Sequence, residues 1–251
     1  MNRGETQGVL SDATVAGVDG CRGGWLVVAV CLGGGARRAE LVVAWDFGAV
    51  LALTERAHAV AVDIPIGLSE SGSRECDILA RRMLGKRGSA VFPAPVRRVL
   101  PASTYEEANE LSRRYCGRGL SKQAYAILPK IRDADQCLTR DLQARIWEVH
   151  PEVCFLALNG FRPVMSSKKD SQGEAERERL LAGLYTDLDR ALGERPKGVK
   201  PDDVLDAFVA AYTAECWLLG RARSLPETPS TDGKGLRIEM VYPDRPTGQA
   251  R

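Results

Sequence analysis

Residues 59–67 read AVAVDIPIG, four apolar residues running without interruption into Asp63, with Pro65 and Gly67 just beyond. A short continuous apolar run bounded by turn residues is the pattern of a strand buried on both faces. Pro65 ends regular pairing and Gly67 permits a sharp bend. The strand therefore ends by delivering a carboxylate from a buried segment. That is unfavourable unless a cation or another partner meets it. The same ending occurs upstream, where VAGVD closes on Asp19 and GCRGG follows.

Working outward, Val15–Asp19, Trp25–Leu32 and Glu40–Trp45 are short apolar runs that read as strands. Gly20, Gly23 and Gly24, then Gly33, Gly34 and Gly35, supply the turns of a hairpin meander. Asp46–Arg56 follows as a short helix and Ala59–Ile64 as the fourth strand. Helical spacing then marks Ser73–Leu84 with Gly85 as its stop, Tyr105–Tyr115, and Ser121–Thr139. Ile146–Val149 is a brief strand. Glu174–Leu192 is an amphipathic helix with Leu180, Leu181, Leu184, Leu188 and Leu192 on one side. Asp202–Gly220 is apolar almost all round and should pack deep against the sheet. GLRIEMVYP reads as a last strand.

Three strands, a helix, a buried strand, then helices and another strand is the order of an RNase H-like α/β core. The expected fold is a mixed sheet flanked by helices, with a helical insertion after the fourth strand over about residues 70–143. The expected organisation is a disordered leader over residues 1–14, a single domain over 15–243 and a flexible tail over 244–251.

The 251 residues suffice for one sizeable core. With 35 basic against 33 acidic residues the net charge is +2, so whole-chain charge points neither toward nor away from nucleic acid. Seven scattered cysteines without a CxxC read as reduced thiols, and with no signal peptide or bilayer-length apolar run the expected location is cytoplasmic, off the membrane.

A third source of carboxylates is PDDVLDA. Asp203 and Asp206 lie three apart and share a helical face. Asp203, near the helix start, has a plain alternative role as a capping or dipole partner. Asp206 is a turn further in, beside Leu205, Ala207 and Phe208, where a lone carboxylate needs a positive partner. Asp19 likewise has the alternative of a turn-forming Asp before Gly. In EVHPEV, Glu148 and Glu152 bracket His150; Glu152 is the preferred further member of the site. His150 is either a proton carrier or a hydrogen-bonded turn residue. Acidic oxygens from separate segments suit Mg²⁺ or Mn²⁺, and a pair of such ions can drive phosphodiester hydrolysis.

The blocks GVDGCRGGW, VDIPIGL, RECDILARRMLGKRGSAVFPAPVR, KIRDAD, EVHPEVCF, SKK, DDVLDAFVAAYTA and GLRIEMVYP resemble the family catalogued as domain of unknown function 429. The resemblance spans roughly Val15 to Pro243. It implies an RNase H-like fold and the nuclease activity predicted for that family. Asp19, Asp63 and the Asp203/Asp206 pair are also similar to the acidic pattern of the Holliday-junction-resolvase branch of that superfold. No position within Arg22–Arg56 offers the second-helix Glu that RNase H itself uses; Glu55 is the nearest and reads as a surface residue.

The expected activity is divalent-metal-dependent hydrolysis of nucleic-acid phosphodiesters, with Mg²⁺ or Mn²⁺ on Asp19, Asp63, Asp203 and Asp206, and with Glu152 and His150 in support. Arg81, Arg82, Lys86, Arg87, Arg97 and Arg98, then Lys168 and Lys169, are the expected phosphate contacts. Phe92 and Tyr105 are candidates either for stacking on bases or for core packing. Two rivals remain at this level. One is an actin/hexokinase-like small-molecule phosphotransferase using the GVDGCRGGW loop for phosphates. The other is a catalytically silent binding module on the same fold.

Overall fold

The computed structural model describes residues 13–33, 37–168 and 170–244. The expected leader and tail, apart from Ala13, Thr14 and Asp244, lie outside the described residues, as does Lys169.

The sheet is mixed and five-stranded, in the order β3-β2-β1-β4-β5. Its strands are β1 (Thr14–Cys21), β2 (Gly24–Cys31), β3 (Arg38–Ala44), β4 (Ala59–Val62) and β5 (Ile146–Glu148). β1 pairs antiparallel with β2, and β2 antiparallel with β3, whereas β1 and β4 are parallel. That order with a leading meander is the RNase H-like α/β arrangement. The described residues fall into two compact units. One holds the residues up to Asp63, Val149–Arg223 and those from Tyr242; the other holds Ile64–Glu148 and Ser224–Val241.

In the first unit, all four residues of β4 and most of β1 are buried, as their unbroken apolar character requires. Helix α1 (Phe47–Leu53) begins where the Asp46 side chain accepts the Ala49 N–H at 2.7 Å. Helix α6 (Pro151–Leu158) and helix α9 (Pro201–Leu218) are buried along most of their length. α9 lies directly on β1. A Cβ at Gly17 would stand 1.9 Å from the Ala207 carbonyl oxygen and 2.3 Å from the Ala211 nitrogen. Only a strand residue without a side chain permits that approach.

The leucine pattern over 174–192 predicts one helix, but the chain forms two, α7 (Ser171–Ala182) and α8 (Leu188–Gly193). The break at Gly183 turns Tyr185 inward, where its ring meets Phe208 edge-on at 4.8 Å. Of the five leucines only Leu181 and Leu188 are buried. α8 also closes part of the sheet's edge. The Ala39 N–H on edge strand β3 donates to Asp187 Oδ2 at 3.0 Å, and Arg190 donates to the Ala39 carbonyl at 3.4 Å.

The second unit contains α2 (Glu75–Leu84), α3 (Tyr105–Cys116), α4 (Lys122–Ala126) and α5 (Leu128–Cys137). The single helix expected over Ser121–Thr139 divides at Ile127, because Pro129 suits only a helix's first turn. Two strands, β6 (Ala222–Thr231) and β7 (Arg237–Pro243), form a separate sheet. Pro226 and Pro229 hid β6 from the sequence pattern, since proline is confined to edges. All seven cysteines are free thiols, and among the described residues no helix is long and apolar enough to cross a membrane.

Candidate active site

Parallel pairing aligns the C-terminal ends of β1 and β4. The register Val18↔Val62 and the bond from the Asp63 N–H to the Val18 carbonyl (2.8 Å) place Asp19 and Asp63 side by side. Asp19 is buried, at 7% exposure. The seating of α9 against Gly17 brings Asp206, at 2% exposure, to the same end of the sheet. Residues from three distant segments thus share one locality in the first unit.

The electrostatic consequences are large. Burial pushes the Asp19 carboxyl well above the usual carboxylate range, and the charges of Asp63 and Asp206 push it further. Burial likewise raises Asp206 to about 7, with Asp63 adding to the effect. Lys168 opposes this, its Nζ 2.6 Å from Asp206 Oδ2. Burial works against the Lys168 charge, but Asp206, Asp63 and Asp19 outweigh it and hold the ammonium protonated.

The remaining expected residues occupy definite stations. Asp203 Oδ2 accepts the Lys200 N–H at 2.9 Å, the capping role that its helical position allows, while Asp203 still adds to the field at Asp19. Glu152 is buried and contributes to the raised pKa of Asp206, yet its own charge is answered by Arg177 at 2.6 Å. His150 caps α6, its Nδ1 accepting the Glu152 N–H at 3.3 Å. Arg177 is a partner that sequence reasoning missed; its place on the α7 face toward α6 emerges only from the tertiary packing.

Oxygen donors of this kind fit a hard divalent ion, and burial together with the neighbouring carboxylates raises both Asp19 and Asp206. The Asp19, Asp63 and Asp206 ligand atoms are not drawn in as closely as those of Cys76, Asp77 and Glu148, which lie within 4.8 Å of one another in the second unit. That tighter cluster already has its cation. Arg74, 2% exposed, bonds Asp77 at 2.5 Å and Glu148 at 2.7 Å and reaches the Ile66 and Gly67 carbonyls. Even so, burial raises Glu148 to about 7. The guanidinium fills the space, so this is a buried ion-pair network.

The first basic segment lies in the second unit and is heterogeneous. Arg81, Arg82 and Lys86 are exposed, with Arg81 donating to the Val91 carbonyl, and Arg87 is half-buried. Arg97 is engaged with Asp135 at 2.7 Å and with Asp232. Arg98 stands over the Tyr115 ring beside Glu70. Phe92 is exposed, whereas Tyr105 packs edge-on against Tyr125.

The family model Protein of unknown function (DUF429) matches residues 17–231. The chain belongs to the DUF429 family. No curated protein matches this DUF429 sequence. Among solved structures, RuvC from Thermus thermophilus in complex with a Holliday junction substrate is similar at 14% identity. The match covers 83% of this chain and 96% of that one, with a TM-score of 0.37. A second Thermus thermophilus RuvC structure gives 14% identity, 82% and 96% coverage, and a TM-score of 0.34. The RNase H-like assignment of this DUF429 chain rests on its strand order and pairing.

Proposed function

We propose that this chain is a divalent-metal-dependent nuclease that hydrolyses nucleic-acid phosphodiester bonds, with Mg²⁺ or Mn²⁺ held by Asp19, Asp63 and Asp206. The observation that carries this reading is the gathering of three carboxylates from separate segments at one end of the sheet, with Lys168 the cation paired to them among the described residues. The Arg74 cluster sets one guanidinium, with bonds to both partners, against two carboxylates; here one lysine among the described residues bonds one of three. Asp203 and Glu152 stand at its margin, and His150 is the nearby proton carrier. When bound, a pair of divalent ions would activate water and stabilise the leaving oxygen. Lys168 would meet a phosphate oxygen, a role its position beside Asp206 supports. Exposed Arg81, Arg82 and Lys86 support a polyanionic substrate. The free thiols support a cytoplasmic setting.

The test is Asp206→Asn, which keeps shape and removes charge. Cleavage of oligonucleotides in Mn²⁺ should fall by roughly two to three orders of magnitude, the scale for losing a key electrostatic group. Calorimetry should show weaker Mn²⁺ binding with an unchanged circular dichroism spectrum. Equal cleavage by the variant overturns the assignment, and ATP turnover with a small alcohol would replace it by the phosphotransferase.

A further inference from the structure

The largest exposed apolar side chain among the described residues is Trp45, at 78% exposure. It follows β3 and precedes the N-cap Asp46 of α1. A residue at that point ordinarily folds back on the helix's first turn as a staple. Here the position it would cover, Val50, is already buried, and Trp45 stands in solvent.

Its location follows from the register. Asp19 pairs with Leu26, and Leu26 pairs with Val43, so Trp45 lies two strands across and two residues further along. At about 4.8 Å per strand and 3.3 Å per residue that is roughly 12 Å from Asp19 between Cα atoms. Trp45 and the acidic site therefore share one end of the sheet.

Cations bridge the gap. Gly24 closes the β1–β2 turn, and a Cβ there would lie 3.1 Å from Trp45 Cα, so the Arg22–Gly23 tip adjoins the tryptophan. On the other side, a Cβ at Gly198 would lie 3.8 Å from the Arg22 carbonyl oxygen, which brings Lys197 alongside. Lys200 follows at the cap of α9, ahead of Asp203 and Asp206. Arg22, Lys197 and Lys200 are exposed, and none forms an ion pair among the described residues. The rim thus runs from an exposed indole through three cations to the carboxylates.

We propose that this rim seats a single-stranded stretch of nucleic acid, with Trp45 stacking on an unpaired base and with Arg22 and Lys197 contacting the phosphates that lead to the site. The inference deepens the nuclease reading and rests on it. A protein partner would leave the row of cations beside an acidic centre unexplained. An unpaired strand uses both, since bases stack on aromatic faces while the backbone follows positive charge.

Trp25 and Trp147 are buried and Trp217 is half-buried, so contact-dependent quenching of tryptophan emission by bases reports chiefly on Trp45. The test titrates the full chain with short oligodeoxythymidylate and oligouridylate in EDTA, so that binding is separated from cleavage. Quenching should be strong with the single strands and weak with a duplex of equal length. Trp45→Ala should bind single strands about tenfold more weakly, consistent with the loss of one stacked base, and Trp45→Phe should restore most of the affinity. Arg22→Ala with Lys197→Ala should lower the salt dependence of binding. Affinity unchanged in Trp45→Ala overturns the stacking site and leaves the nuclease reading standing. No binding of any oligonucleotide by the unsubstituted chain overturns both. Self-association that vanishes in Trp45→Ala, without base quenching, reassigns the rim to a protein contact and overturns the proposal.

Discussion

Among the described residues Lys168 sets one positive charge against Asp19, Asp63 and Asp206, and the crowding of carboxylates has a measurable signature. Burial raises both Asp19 and Asp206 in the folded chain above the carboxylate value near 4 that they take when unfolded. Between about pH 4 and pH 7 the folded state therefore holds more protons than the unfolded one. The stability contributed by these groups is complete below that window and is lost as pH rises through about 7. Without added divalent ions, Asp206→Asn should gain on the unsubstituted chain in melting temperature from pH 5 to pH 8, by at least ~2 °C. A gap that stays constant or narrows with rising pH contradicts this account. The aspartates were legible in the sequence because each terminates an apolar run or sits within one. The partner of Asp206 was not, since a loop lysine such as Lys168 has no periodicity to reveal its direction. Arg177 was hidden for the same reason, within a helix whose leucines suggested a different buried face.

At the level of elements, the site depends on how closely α9 approaches β1. Gly17 is the point of contact, and a methyl group there would overlap the Ala207 carbonyl, one residue from Asp206. Gly17→Ala should destabilise the chain by about 3 kcal/mol, the upper range for overpacking a core. It should also weaken Mn²⁺ binding by moving Asp206, an effect separable from stability by calorimetry well below the melting temperature. Wild-type stability in that variant would mean that α9 is not fixed at this crossing. The sequence announced α9 and the buried strands plainly, because an all-round apolar helix and an uninterrupted apolar run have few alternative uses. It misjudged elements whose limits the apolar pattern does not mark: one expected helix stops after Ala182, Pro129 divides another, and the prolines of β6 concealed a strand.

For the molecule as a whole, strand order was the more legible part, since the alternation of meander, helix and buried strand admits few topologies. The division of ionic groups was not. Arg97, read as a phosphate contact, is spent on Asp135 and Asp232, and Arg74 drew no notice although it anchors the most buried acidic pair of the second unit. Charge pattern along a chain does not say which cations are consumed internally.

The α8 contacts with Ala39 bear on solution behaviour. With Asp187 and Arg190 holding the Ala39 amide and carbonyl, an incoming strand meets a ladder whose first rung is taken. Asp187→Ala should reopen it, giving concentration-dependent association in sedimentation velocity; a variant that stays dispersed would locate the guard elsewhere. A chain whose proposed work leaves the strand ends of its sheet open to polymers thus guards its flank, at Ala39, against copies of itself.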